Sequence, residues 1–288
     1  MSKGGSAAVA GATAQIPLLS SAVLYGASVF DSLRAWRTRR GALVYGLAHH
    51  VARFRRSADL ALLDLEVDDG ELLRRVADAL RDCPEDGFAR VRVLAYGVDP
   101  ELCDRRAAVA VFSLPVAGYA SPRPRLTTAT AARRVSGDLP RAVKSPSGYL
   151  RVRREVAAAR TAGFDDVLVW NEHGRVSEAS RANVVMIRDG VLVTPPTSEG
   201  ALAGVTKKVL RHLALREGVR WESRPIDLAE LGGADSILLT SSSLGVVAAR
   251  SIGDRPLAED GLAADLCHWY SALPLERPDD EFLTEVRW

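Results

Sequence analysis

Lysine is almost missing from this chain. Only four of its 38 basic residues are lysine, namely Lys3, Lys144, Lys207 and Lys208, and the rest are arginine. Arginine stays charged inside a protein, whereas a lysine amine can lose its proton and act as a nucleophile. Each lysine is therefore either a candidate for chemistry or a leftover of an arginine-rich composition. Cysteine is also scarce. Cys83, Cys103 and Cys267 lie far apart and form no CxxC pair, which excludes a disulfide framework and a cysteine zinc site and predicts a reducing compartment. Charge of one sign is lacking too, since 38 basic against 36 acidic residues leave a net charge of +2. That excludes a charged disordered tail protein and argues against a dedicated nucleic-acid binder. There is no long dense hydrophobic run. Residues 4–30 carry no charge, but Gly, Ala, Ser and Pro17 dilute them below a secretory core. The uncharged stretch 107–122 is too short and too broken to span a bilayer. GxSxG, Walker, HExxH and dinucleotide motifs are absent, and the five histidines have no metal-ligand spacing. The sequence thus predicts no metal, no membrane and no nucleic acid.

What is present suits a folded enzyme. The chain has 288 residues, 47% of them hydrophobic, enough for one large domain or two smaller ones. Residues 1–15 read as a flexible tail. Strands at 28–36 and 42–45 form a hairpin, helices at 47–63 and 70–81 follow, and strands at 90–96 and 107–114 complete a small α/β domain over 16–117. Residues 118–124, rich in Gly and Pro, read as a linker. A large α/β domain is expected over 125–288. It has a strand at 126–131, a helix at 149–162 and strands at 167–170 and 175–177. A hairpin at 184–193 turns on Asp189-Gly190, a helix follows at 206–216, strands lie at 237–240 and 245–249, and a last helix covers 258–272. The order is mixed rather than a strict βαβ alternation, so the fold class is α+β.

Chemistry concentrates in a few segments. Lys144 lies in a loop between Pro140 and Pro146, just before a helix, where a desolvated amine suits Schiff-base chemistry. A solvated loop lysine is the alternative. Glu178, in the segment Gly174 to Asn183, ends a short strand. It is either a turn acid or a carboxylate aimed inward at a ring nitrogen. Gly204-Val205-Thr206 opens a helix, and its backbone N–H groups suit a phosphate. Ser241, Ser242 and Ser243 end a strand, and Arg53 sits beside the apolar stripe of the first helix. Capping, a polar strand end and a surface arginine are the alternatives for these.

Together these segments resemble the class IV aminotransferases, the fold-type IV pyridoxal-phosphate enzymes. That group holds branched-chain and D-amino-acid aminotransferases and aminodeoxychorismate lyase. The resemblance covers about residues 19–252 and rests on six ordered elements. They are Tyr25 to Arg34, the helix segment HHVARFRRSADL, Lys144 five residues before Tyr149-Leu150, Gly174 to Glu178 with Asn183, Thr194-Pro195-Pro196 with Leu202 to Thr206, and Thr240 to Ser243. The resemblance implies a two-domain fold-type IV architecture with pyridoxal 5'-phosphate as cofactor. It makes Lys144 the residue of the internal aldimine and gives Arg53 the cofactor phosphate. Tyr149 would reach the phenolic oxygen and Glu178 the pyridine nitrogen. Asn183, Val205, Thr206, Ser241 and Ser242 complete the cofactor site, with Ser242 standing where the family has Thr. Tyr25, Phe30, Arg34, Arg92 and Ser243 fall on the substrate side.

The implied activity is transfer of an amino group between an amino acid or amine and a keto acid, in biosynthetic amino-acid metabolism. A lyase on the same fold is the alternative, and a non-catalytic homologue a further one. The resemblance also implies a cytoplasmic homodimer whose site lies between the two domains and is closed by the partner. The chain departs from the family in substrate recognition. Its loop Gly97 to Cys103 is acidic where D-amino-acid enzymes carry Arg and His. Its strand at Arg90 and Arg92 lacks the Tyr of the branched-chain type. The opening Tyr25 to Ser28 leans to the branched-chain type.

Overall fold

In the computed structural model, the described residues are 15–83, 87–114, 116, 122–133, 143–258 and 261–288. The expected tail, apart from residue 15, lies outside them, as does most of the expected linker. The chain forms two compact units. The first comprises Met1–Val116, Ala142–Gly148 and Pro278–Trp288, and the second Ala117–Arg141 and Tyr149–Arg277.

The first unit begins with the short helix α1 (Ser21–Leu24), followed by β1 (Ser28–Thr38), β2 (Gly41–Tyr45), α2 (Leu47–Leu60), β3 (Asp64–Leu65), α3 (Asp69–Arg81), β4 (Gly87–Gly97) and β5 (Arg106–Leu114). Antiparallel pairing joins β2, β1, β4 and β5, while β3 adds to β5 in parallel. Strand side chains alternate between faces. Val29, Leu33 and Ala35 of β1 and Ala89, Val91, Val93 and Ala95 of β4 therefore share one face. They pack with Phe54 and Ala58 of α2 and Leu72, Val76 and Leu80 of α3 in a single core. The opposite face receives Phe30, Ser32 and Arg34 of β1, with Arg90 and Arg92 of β4 paired across from Arg34 and Ser32. Helix α3 starts where the sequence signals it, because the Asp68 carboxylate accepts the backbone N–H of Glu71.

The second unit contains β6 (Arg125–Thr128), α4 (Ser147–Thr161, from Tyr149 onward), β7 (Asp166–Trp170), β8 (Val176–Ala179), β9 (Asn183–Arg188), β10 (Val191–Thr194), α5 (Val205–Arg216), β11 (Trp221–Ser223), β12 (Ser236–Ser241), β13 (Gly245–Ala248), β14 (Ser251–Ile252), β15 (Arg255–Pro256) and α6 (Leu262–Glu276). Two five-stranded sheets result, ordered β11-β10-β9-β12-β13 and β15-β14-β6-β7-β8. Leu126, Leu168 and Val176 from one sheet meet Val184, Met186, Ile237 and Leu239 from the other in a shared core. The hairpin β9–β10 turns on Asp189 and Gly190 with positive φ at both, 50° and 72°, as a type I′ turn requires.

The last element, β16 (Leu283–Arg287), pairs antiparallel with β2 and joins the first unit's sheet. The C-terminal residues thus differ from the 125–288 grouping expected from the sequence, because eleven of them, 278–288, belong with the first unit. Residues 142–148 leave that grouping too. The last described helix begins at Leu262 rather than 258, and Gly261 precedes it with φ of 64°. Among the described residues, no helix is long and apolar enough to cross a membrane.

Candidate active site

The candidate residues divide between the units, and each half is built by its own chain segments. In the first unit, β2 covers β1 only along Ala35 to Thr38. Further up β1, the Lys144 carbonyl accepts the backbone N–H of Phe30 at 2.9 Å. The Lys144 backbone N–H donates to the Ser57 hydroxyl of α2 at 3.1 Å. Both backbone groups of Lys144 are therefore tied, one to β1 and one to α2. The side-chain nitrogen Nζ lies 4.8 Å from the centroid of the Phe30 ring. The guanidinium of Arg92 lies 4.3 Å from the same centroid, and its Nε donates to Ser32 Oγ at 3.4 Å. Arg34, also on this face, stacks on Phe88 at 4.0 Å and is buried. Tyr25 is more than half exposed.

Arg53 is not the surface arginine that its helix position allows. Its Nε and Nη2 donate to the two carboxylate oxygens of Asp31, each at 2.8 Å. Asp31 is 1% exposed and also accepts from Nδ1 of His50 at 2.8 Å and from the Ser32 backbone N–H at 2.7 Å. Burial alone would raise the Asp31 pKa, but Arg53 and His50 outweigh it and hold the carboxyl far below its ordinary range. Burial pushes His50 down, so its neutral form is favoured. No motif marks Asp31 or His50 as site residues. A usable signal existed: Asp31 sits in the register of Val29, Leu33 and Ala35, facing the helices, where a lone acid must find a partner. His50 and Arg53, three apart on α2, share the face that supplies one.

In the second unit, Glu178 lies on β8 opposite Val169 of β7. Its Oε1 accepts from Nη1 of Arg133 at 2.7 Å and its Oε2 from the Leu202 backbone N–H at 3.1 Å. It is neither a turn acid nor solvated, being 18% exposed. Asn183 is buried on β9, next to Thr240 of β12. Its Nδ2 donates to the Leu202 carbonyl at 2.8 Å. Its Oδ1 lies so close to Gly204 that a Cβ there would meet it at 1.8 Å. Gly204 is the N-cap of α5, and no side chain caps that helix. The first-turn N–H groups around Val205 and Thr206 thus form an anion-suited end, with no acid in the first turn. Among the described residues, the buried Thr240 hydroxyl has no hydrogen-bond partner. Ser241 to Ser243 follow it in the turn to β13, where Ser241 Oγ accepts the Leu244 N–H at 3.3 Å. Tyr149 stands at the third position of α4, half-buried. Lys207, next in α5, donates to the Pro195 carbonyl at 3.2 Å. Burial lowers its pKa to about 8, with Glu178 pulling the other way. The structure therefore gathers Asn183, Gly204 to Thr206 and Thr240 in the second unit, and Lys144, Phe30 and Arg92 in the first. Among the described residues no group of three or more His, Cys, Asp or Glu could hold a metal ion.

A sequence profile described as Amino-transferase class IV matches residues 28–252. Among curated proteins, the chain is 26% identical over 249 residues to a putative branched-chain-amino-acid aminotransferase of Methanocaldococcus jannaschii, covering 84% of each chain. Among solved structures, it is similar to the branched-chain aminotransferase of Thermoproteus uzoniensis crystallised with norvaline. The TM-score is 0.87 at 26% identity, over 94% of both chains. It is also similar to the T.th. branched-chain amino acid aminotransferase complexed with N-(5'-phosphopyridoxyl)-L-glutamate. There the TM-score is 0.84 at 25% identity, over 94% of this chain and 93% of that one.

Proposed function

The chain belongs to the class IV aminotransferases, and from that membership we propose which of its residues carry the reaction and which substrates it takes. It is a pyridoxal-phosphate-dependent aminotransferase of α+β fold-type IV, moving an amino group between an amino donor and a keto acid. Its own residues fit that cofactor. The uncapped N-terminus of α5 offers N–H donors for a phosphate. The buried Thr240 hydroxyl beside the Ser241–Ser243 turn has no partner among the described residues, and Glu178 presents a carboxylate held at both oxygens. Val205, Thr206, Ser241 and Ser242 would hold the phosphate, and Arg53 is the further candidate for that role. Asn183 would fix the loop before α5, and Tyr149 would donate to the phenolic oxygen.

Bound pyridoxal phosphate supplies an electron sink for the negative charge that develops on the substrate Cα. Glu178, as an anion, favours a protonated ring nitrogen and so a deeper sink. Lys144 would hold the cofactor through Nζ, and the same amine would serve as the base that moves the proton at the substrate Cα. The observation that carries this reading is the double backbone tie of Lys144 to Phe30 and Ser57, which fixes where its side chain leaves the main chain, with Nζ 4.8 Å from the centroid of the Phe30 ring.

For substrate, the reading is an aliphatic branched-chain amino donor with a 2-oxo acid acceptor, in biosynthetic metabolism. The curated relative's name supports it, as does the apolar ring of Phe30 below Nζ. Arg92 would meet a substrate carboxylate, and Arg34, Tyr25 and Ser243 are the further candidates for substrate contact. The three free cysteines fit a reducing, cytoplasmic setting. A homodimer is supported by the exposed apolar run of Leu18, Leu19, Val23, Leu24 and Tyr25.

Borohydride reduction of the holoenzyme should fix the cofactor on Lys144, and Lys144→Ala should abolish turnover. A branched-chain donor alone should convert the bound cofactor to its aminated form, and a 2-oxo acid should reverse it. Label on Lys207 or Lys208 would refute the Lys144 role. Pyruvate release from aminodeoxychorismate without an acceptor would favour a lyase.

A further inference from the structure

Glu178 sits on a four-residue strand, and its long side chain has several rotatable bonds to immobilise before a carboxylate can face one ring atom. Its neighbours in the second unit do that from two directions. The Leu202 N–H holds Oε2. Arg133 holds Oε1 at 2.7 Å, and the two side chains are 20% and 18% exposed. The Arg133 backbone is fastened as well. Its N–H donates to the Trp170 carbonyl at 2.7 Å, and the residue bridges in parallel to Asn171, at the end of β7. Glu178 lies across β7 on the other side, opposite Val169, where the register shifts between Val169 and Trp170. Such irregularities re-aim side chains. Arg133 thus reaches across the end of β7 from a tied backbone to a carboxylate that β8 carries and the loop before α5 already holds. With one donor on each oxygen, Glu178 keeps acceptor capacity for a ring N–H.

We propose that Arg133 is a positioning residue for the transfer reaction, acting through its hydrogen bond to Oε1 to fix the Glu178 carboxylate for the cofactor's ring nitrogen. The proposal rests on the role given to Glu178 above. It distinguishes Arg133 from a residue that merely fastens the segment 131–133. A fastening role would be read in stability alone, whereas a positioning role is read in the spectrum of the bound cofactor and in kcat.

The test uses the holoenzyme as parent, Arg133→Gln, Arg133→Lys, Glu178→Gln and the Arg133→Gln/Glu178→Gln double variant. The readouts are thermal midpoint, absorption of the bound cofactor against pH, and kcat and KM for the donor. For Arg133→Gln, kcat should fall about tenfold with KM within about twofold, because a charge-assisted bond away from the substrate is lost. The absorption titration should move in the same sense as in Glu178→Gln, and Arg133→Lys should recover most of both effects. The double variant should be no slower than Glu178→Gln, since Arg133 then has nothing to orient. Losses that multiply in the double variant would overturn the proposal, as would an Arg133→Gln enzyme changed only in thermal midpoint. If Glu178→Gln alters the absorption and Arg133→Gln does not, the Glu178 role stands and only the proposal falls. If Glu178→Gln is itself silent, both fall.

Discussion

Two residues show how burial sets charge in this protein. Asp31 is a carboxylate in a core register, and its ion pair with Arg53 and hydrogen bond from His50 keep it ionised there. Removing one partner of such a pair costs about 3–5 kcal/mol, because the other charge stays buried. Lys207 is the opposite case, a cation whose burial outweighs the pull of Glu178 and lowers its pKa from 10.5 to about 8. The folded state then releases that proton more readily than the unfolded chain does. Below pH 8 the penalty for burying the charge is fully present, and it fades as pH rises from about 8 toward 10.5. A shift of that size corresponds to about 3 kcal/mol. Lys207→Met should therefore be more stable than the parent at pH 7, and most of the gap should be gone by pH 10. Denaturant unfolding of both proteins across that range measures it, and a gap independent of pH would show that Lys207 is charged in the folded protein throughout.

At the scale of elements, the end of α5 is set by one glycine. Gly204 lies against Asn183 so closely that no other residue fits without displacing it. Asn183 in turn holds the Leu202 carbonyl, and Leu202 holds Glu178. Gly204→Ala should lower stability by about 1–3 kcal/mol through overpacking and weaken cofactor binding by disturbing the helix end. Gly148→Ala provides the comparison. It has open space around its Cβ position and lies in the first turn of α4, so it should be neutral or slightly stabilising. Thermal midpoints and cofactor titrations of both variants check this, and a Gly204→Ala protein that binds cofactor like the parent would dissociate the α5 terminus from the phosphate.

At the scale of the whole molecule, the exposed apolar run near α1 calls for cover. Leu18 and Leu19 are 76% and 69% exposed, and a contiguous patch of that kind marks an interaction surface in a soluble protein. Light scattering of the parent should give a dimer. Leu18→Asp/Leu19→Asp should shift it toward monomer and lower activity if the partner completes the site. A fully active monomer of the parent would remove the dimer from the account.

The sequence by itself determined the local pieces. Alternation set the faces of β1 and β4, Asp189-Gly190 set the β9–β10 turn, and Gly204 to Thr206 marked the start of α5. The order of short motifs carried the family, since each motif is contiguous and its meaning is local. Only the tertiary structure decided which distant groups meet. Asp31 and Arg53 are 22 residues apart, Arg133 and Glu178 45, and β16, from the end of the chain, pairs with β2 at one edge of the first unit's sheet. No periodicity encodes such separations. A buried charge announces only that it needs a partner, and no sequence pattern set 283–287 apart as a strand. Which arginine answers, and which open edge is covered, follows from how the sheets and helices pack.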